Sequence, residues 1–213
     1  MKKIKFGKID IYTTILCLAS MIPGIAVYDK LPEKIATHFN INNEPDQFSS
    51  KAFAVFGMPL ILMAIHILAC LISNYDAREK NTGKIRVVVR FIVPVIGFCV
   101  ETFMILYAMD SFKDIGTGVI SMLAIIFIVL GNYMPKCRQN SVIGVRVSWT
   151  LNNEEVWDKT HRMSGFLWVI CGIIMLPLAF LKLYIPIIVL FLIMMIVPLV
   201  YAQKLYSKLN SSK

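Results

Sequence analysis

Apolar residues in this chain gather into runs far longer than the strands and short helices of a soluble core. Six stretches carry the pattern: Ile9–Tyr28, Ala52–Ser73, Val87–Met109, Gly116–Met134, Met163–Leu181 and Tyr184–Tyr201. Each approaches the roughly 20 apolar residues that a helix needs to cross the hydrocarbon of a bilayer. The pattern predicts an all-α fold: a polytopic helical membrane protein of six transmembrane helices, forming one membrane domain over residues 1–213. Its N-terminal part, residues 9–109, holds the first three spans and a long polar loop at 29–51. Its C-terminal part, residues 116–201, holds the last three spans and a second long loop at 135–162. Pro23, Pro59, Pro94, Pro177 and Pro198 fall inside spans and predict kinks that neighbouring helices satisfy. The first run is not read as a cleaved signal peptide, because its apolar part is too long and no small-residue cleavage site precedes Asp29.

Composition supports the same class. Hydrophobic residues make up 57% of the chain and charged residues 16%, against about 45–50% and about 25% in soluble domains. The net charge of +9 is explained by where the charges lie. With both termini in the cytoplasm, 17 of the 22 Lys and Arg residues fall on the inner side and 5 on the outer. The positive-inside rule therefore predicts an N-in, C-in topology. The basic excess then faces anionic lipid headgroups, with no need for direct nucleic-acid binding. Cys17, Cys70, Cys99 and Cys171 lie in apolar stretches and read as small buried hydrophobes. Cys137, between Lys136 and Arg138, has the one claim to be a reactive thiol.

The expected outer loop reads DKLPEKIATHFNINNEPDQFSSK. Pro32 holds Leu31 extended, Asn40, Asn42 and Asn43 favour turns, Pro45 stiffens the segment between Glu44 and Asp46, and Ser49 or Ser50 is placed to cap the second span. This turn chemistry predicts a folded lid. His38 with Glu44 and Asp46 reads either as a metal site or as a hydrogen-bonded cluster, and the lack of ligand spacing favours the second; no metal or other cofactor is expected. Ile35, Phe39 and Phe48 would offer apolar contact to a cationic peptide drawn by the acids.

The expected inner loop has an extended first half, Asn140 to Trp149, followed by a helix that begins at Thr150 or Asn152. Asn152 with Glu155 fits a capping box. Val156, Trp157, His161, Ser164 and Trp168 then share one helical stripe running into the fifth span, with Trp149 and Trp157 near the headgroups. Arg146 either pairs with Glu155 or Asp158, or snorkels at the inner leaflet; His161 is either a hydrogen-bond staple or a proton-sensitive group. Two polar residues stand inside spans, His66 and Glu101. A carboxyl there must face the bundle interior, and the bland reading gives Glu101 a hydrogen bond to a neighbouring helix. At different depths, the two are not expected to touch.

Both loops carry a family resemblance. Leu31 to Asn40, continuing to Pro45-Asp46 and Ser50-Lys51, resembles the N-terminal outer-loop domain of SdpI-like proteins. Asn140, Ile143-Gly144-Val145-Arg146, Trp149-Thr150-Leu151, Glu155, Trp157 and Thr160-His161 resemble the C-terminal signature of the same family. Two positions depart from it: Asn43 stands where the family has a glycine, and Val147-Ser148 stands where it often has a proline-containing pair.

The resemblance implies a non-enzymatic immunity protein of Gram-positive bacteria, directed against a secreted sporulation-delay peptide toxin. For some members it also implies signalling to a cytosolic transcriptional repressor. Pro32, His38, Phe39, Asn40, Pro45, Asp46 and Lys51 would order the outer loop or touch the peptide. Asn140, Gly144, Arg146, Trp149, Thr150, Glu155, Trp157 and His161 would hold the inner mouth or dock a cytosolic partner. The alternative is a small proton-coupled transporter using Glu101 and His66. An enzyme is the weakest reading, because the three histidines lie at three expected depths.

Overall fold

The computed structural model describes residues 6–40, 42–75 and 83–211. Lys2, Lys3, Lys5, Arg78, Lys80 and Lys213, which contribute to the expected orientation, lie outside the described residues. Among the described residues, six helical segments are long and apolar enough to cross a membrane: Lys8–Ala26, Phe53–Asn74, Ile85–Ala108, Ile115–Lys136, Glu154–Phe180 and Tyr184–Ser211. The chain is the expected polytopic helical membrane protein. It divides into two compact units, Met1–Ile72 with Arg90–Met122, and Ser73–Val89 with Leu123–Lys213.

In the first unit, the first span is two helices, α1 (Lys8–Leu18) and α2 (Met21–Ala26). The break has a local cause. Pro23 has no N–H to offer the carbonyl of Ala19, and the Ser20 hydroxyl takes the carbonyl of Cys17 at 2.6 Å. Gly24 lets α2 approach Val55 so closely that an added Cβ would stand 2.7 Å from a Val55 methyl.

The 29–51 segment, expected as a folded lid of unspecified form, contains a β-hairpin. β1 (Lys34–Phe39) pairs antiparallel with β2 (Pro45–Ser50). Pro45 opens β2, where a missing N–H costs the ladder least. Leu31, held extended before Pro32, and Ile35 bury against Ala54, Val55, Met104 and Ile105. Ile35 is thus core, not an exposed contact. At the exit, Ser50 Oγ accepts the amide of Phe53 at 3.2 Å, so Ser50 is the cap. A π turn at Phe53–Gly57 leads into α3 (Met58–Tyr75).

Helix α4 (Gly83–Ala108) carries an ion pair that the sequence reading did not anticipate. Arg90 Nε lies 2.9 Å from Asp10 Oδ1 on α1, with both side chains buried. Asp10 Oδ2 also accepts the amide of Gly7 at 2.8 Å, closing the start of α1.

In the second unit, the lower part of α5 (Ile115–Tyr133) meets α7 (Glu154–Phe180) through small residues. A Cβ on Gly165 would stand 2.5 Å from the Gly131 carbonyl, and one on Gly172 would stand 2.8 Å from the Ala124 carbonyl. Backbones this close replace the missing hydrophobic drive in lipid with dispersion contact. Phe127 packs edge-on against Trp168 and Phe191, at 5.5 and 5.2 Å. Helix α7 starts at Glu154, nine residues before the expected span, and α8 (Tyr184–Ser211) runs ten residues beyond it. Hydropathy marks the part of a helix in lipid, not where its hydrogen bonding ends. Between α7 and α8, Lys182 turns the chain with φ at 55°.

The buried ion pair yields a test. Arg90→Ala leaves a buried carboxylate and should cost about 3–5 kcal/mol in the reversible unfolding of the micelle-embedded chain. The double change Asp10→Leu/Arg90→Met should cost much less. Equal losses in the two proteins would mean that the pair is not coupled.

Candidate functional site

The hairpin is ordered from its tip. Asn40 Oδ1 accepts the amides of Asn42 and Glu44 at 2.9 and 3.0 Å. The Asn40 amide N–H donates to the Glu44 carbonyl at 2.9 Å. Asn43 sits at φ 64°, the left-handed region that glycine enters without strain and asparagine tolerates. Its side chain also does something glycine cannot. Nδ2 donates to the Lys113 carbonyl at 2.9 Å, and Oδ1 accepts the Gly116 amide at 2.7 Å in the first turn of α5. The tip is thereby tied to the end of a transmembrane helix.

Along the strands, the register slips on both sides of His38. This brings His38 Nδ1 to 2.5 Å from Asp46 Oδ1, with both side chains largely exposed. Phe39 leaves the surface and packs edge-on against Tyr107, centroids 4.8 Å apart. Phe48 is 56% exposed. At the base, Lys51 Nζ lies 2.9 Å from Glu33 Oε1 and over the Tyr28 ring. The hydrogen bond to Glu33 raises the pKa of Lys51 above its ordinary value. The face has an ordered frame (Pro32, Asn40, Pro45, Lys51) and three outward groups: His38, Asp46 and Phe48. Among the described residues, no group of three His, Cys, Asp or Glu side chains is arranged to hold a metal.

The 135–162 loop is a folded plug rather than an extended strand. Asn140 is fully buried and acts as a surrogate backbone. Its Oδ1 accepts the amides of Val142 and Ile143, and its Nδ2 donates to the carbonyls of Arg138 and Ile143. Trp149 and Thr150 lie in a short helix, α6 (Ser148–Leu151). Thr150 Oγ1 donates to the Val145 carbonyl at 2.8 Å and accepts the Val147 amide at 3.1 Å. Gln139 Nε2 donates to the carbonyls of Thr150 and Leu151, satisfying the end of α6.

Helix α7 is capped one residue later than expected. Asn153 Oδ1 accepts the Val156 amide at 3.1 Å, while Asn152 ends α6. Trp157 is wholly buried, not interfacial, and its indole N–H donates to the Cys137 carbonyl at 2.7 Å. His161 stacks on Trp157 with ring centroids 3.9 Å apart. His161 Nδ1 donates to the Trp157 carbonyl at 2.9 Å, and Nε2 accepts the Val145 amide at 3.0 Å. Of the two readings of His161, the geometry is that of the staple, in one neutral tautomer. Gly144 faces this ring at φ 118°, and a Cβ there would collide with His161 Nε2. Only glycine meets both conditions. Arg146 does not pair with Glu155 or Asp158. It is exposed and donates to the Ser141 carbonyl, while Glu155 pairs with Lys159 at 2.6 Å.

His66 Nε2 lies 2.9 Å from Thr13 Oγ1 and 3.5 Å from Cys70 Sγ, all buried. Since the Thr13 hydroxyl donates to the Ile9 carbonyl at 2.8 Å, it accepts from His66. Glu101 is buried in a different setting, a cavity lined by Ser20, Met58, Leu62 and Gly97 among others, and His66 is not among its walls. The expected hydrogen bond to a neighbouring helix is absent: Glu101 Oε1 has no partner among the described residues. Asp10, Thr13, Gln139 and Asn153 were missed from sequence. Asp10 did carry a signal, as a lone acid in the first turn of an apolar run; Gln139 carried none.

Burial also decides the Cys137 question. The thiol is enclosed, and burial pushes its pKa up to about 11, against a partly offsetting hydrogen bond from Asn140. Raising the folded-state value above the ordinary 9.0 means that folding favours the neutral thiol; this contribution is present below pH 9.0 and is lost as pH rises through about 11. Iodoacetamide at pH 8 should therefore spare Cys137 in the native protein, as read by peptide mass spectrometry, and modify it after unfolding. Gly144→Ala should open the plug and speed this reaction at least tenfold. Rapid native labelling would contradict the buried assignment.

Asn43→Gly supplies a second test. The backbone conformation survives and the tie to α5 is lost, so amide exchange should quicken across residues 34–50 while the unfolding midpoint moves little.

Sequence comparison agrees with the two-loop reading. Residues 136–202 match the SdpI/YfhL protein family, and residues 15–63 match a domain of unknown function, DUF1648. The chain is 27% identical to the immunity protein SdpI of Bacillus subtilis (strain 168) over 212 residues, covering 97% of this chain and 100% of that protein. No solved structure matches. The hairpin falls in the first matched segment, and Cys137 to His161 in the second. With both matches in order on six membrane-length helices, this chain is a multi-pass membrane protein whose C-terminal part matches the SdpI/YfhL family and whose whole length is similar to one immunity protein.

Proposed function

We propose that this protein is a non-enzymatic immunity protein that protects its cell against a secreted, membrane-active peptide. The observation that carries the reading is the full-length similarity to an immunity protein, together with a rigid hairpin that leaves His38, Asp46 and Phe48 exposed. A peptide-contact face needs ordered groups with little to lose on binding, and the Asn40 and Asn43 networks supply that order. With both termini in the cytoplasm, as the Lys and Arg distribution favours, the hairpin faces outward. The 135–162 plug then lies on the cytoplasmic side, where exposed Arg146, Glu155 and Lys159 offer a polar surface to a cytosolic repressor.

The non-enzymatic reading is supported by the histidines. Their partner sets are separate: Asp46 for His38, Thr13 and Cys70 for His66, Trp157 and Val145 for His161. No two combine into a nucleophile and base.

The test is survival. The chain is expressed in a sensitive Gram-positive strain lacking its own immunity gene and challenged with purified sporulation-delay peptide. Wild type should protect. The triple change His38→Ala/Asp46→Ala/Phe48→Ala should lose at least tenfold in tolerated peptide at equal membrane abundance. Arg146→Ala should leave protection intact and alter only signalling. Full protection by the triple variant would exclude the hairpin as the contact face.

A further inference from the structure

Among the buried side-chain oxygens and nitrogens of the described residues that lack a hydrogen-bond partner, one belongs to a carboxyl that borders a cavity. Glu101 Oε1 is enclosed, the residue is 3% exposed, and no hydrogen bond reaches it among the described residues. The carboxyl borders a cavity of about 120 Å³ within the first unit. Gly97, one turn before Glu101 on α4, is a wall of this cavity and leaves room for the side chain of Leu62, another wall residue, which a Cβ on Gly97 would strike. Met58, Pro59, Leu62, Ile96 and Val100 make the rest of the lining apolar.

The polar atoms of this lining all point to one ligand chemistry. The second polar residue is Ser20, and its hydroxyl hydrogen is committed to the Cys17 carbonyl at 2.6 Å. Ser20 Oγ is left with acceptor capacity only, and an ionised Glu101 is likewise acceptor-only. Among the lining side chains there is no competing donor. A neutral ligand such as an alcohol or amide brings acceptors of its own, which the apolar walls would leave unsatisfied. An ammonium brings three donors, no acceptor and the charge that offsets the carboxylate. The apolar walls suit a short hydrocarbon stem.

We infer that the Glu101 cavity is a binding site for a primary ammonium on an apolar stem. The ion is held by the Glu101 carboxylate and Ser20 Oγ, while Leu62, Ile96 and Val100 cover the stem. A lysine side chain of a membrane-inserted peptide and a phosphatidylethanolamine headgroup share this chemistry. The site does not depend on the immunity reading, so it can fail or stand alone.

The probe is n-butylammonium, added to the full-length chain in phosphatidylcholine nanodiscs, with n-butanol as the control of equal stem length. Butylammonium should raise the thermal unfolding midpoint saturably, and butanol should not. Glu101→Gln should weaken the apparent affinity at least tenfold. Ser20→Ala keeps the carboxylate and should weaken it several-fold, which preserves the test if Glu101→Gln fails to fold. No saturable shift, an equal response to butanol, or undiminished affinity in Ser20→Ala and Glu101→Gln would overturn the site. Phosphatidylethanolamine nanodiscs separate the sources. Loss of the butylammonium shift there assigns the site to the lipid headgroup, and a persisting shift assigns it to a peptide or other soluble amine.

Discussion

Hydrocarbon offers no hydrogen bonds. A donor or acceptor placed there finds its partner within the protein or costs several kcal/mol. The first span shows how this requirement shapes local structure. Asp10 begins α1 with a charge that lipid would not accept, and the chain answers with Arg90 from α4 and the Gly7 amide. One turn later Thr13 turns its hydrogen back to the Ile9 carbonyl and leaves its lone pair to His66. Where Pro23 breaks the ladder, Ser20 takes up the Cys17 carbonyl. The ion pair is not there for net stability, since a buried pair roughly breaks even against apolar packing. What it contributes is a unique register between two helices whose surfaces are otherwise interchangeable hydrocarbon.

The loops solve the same problem by other means. Both replace backbone–backbone pairing with an asparagine side chain. Asn40 closes the hairpin tip, and Asn140 closes the start of the plug. An amide side chain mimics a peptide group in a loop too irregular for a ladder. The plug needs more, because Asn140, Thr150, Trp157 and His161 are buried in it. Trp157, His161 and Gly144 form a three-part fit in which the ring is held by a carbonyl on one side and an amide on the other. A protonated His161 would meet the Val145 amide donor-to-donor. The loop is therefore built around a neutral ring, which argues for a fixed scaffold there.

Span number and the placement of the long loops were legible in the chain because hydropathy integrates over some twenty residues and local errors cancel. Helix ends were less so. The start of α7, expected at Thr150 or Asn152 from the capping pattern, falls at Glu154, where the Asn153 cap and the buried Val156 and Trp157 set it. The hairpin was seen as ordered but not as β, since His38 and Thr37 interrupt the alternation and the register slips at that point. Motif residues such as Gly144, His161 and Asn140 were found by resemblance, but their roles as a mutually dependent set needed distances. Of the two readings of Arg146, the pairing with Glu155 or Asp158 does not form: Glu155 pairs with Lys159, and Arg146 donates to the Ser141 carbonyl. Long-range pairs such as Asp10–Arg90 have no sequence signature beyond two opposite charges near the ends of apolar runs.

Set beside these closed networks, Glu101 is, among the described residues of the first unit, the buried carboxyl that the fold does not answer. Packing alone would not keep it: glutamine, methionine or leucine would fill comparable volume without a charge to desolvate. Gly97 makes the same point from the other direction. Alanine would be the better helix former by about 0.8–1 kcal/mol, but its Cβ would strike Leu62, another wall of the same cavity. An unanswered acceptor and a glycine that seats a wall residue occur one turn apart on the same helix. A fold optimised only for insertion would have removed both, whereas a fold that receives a donor from outside the chain requires both together.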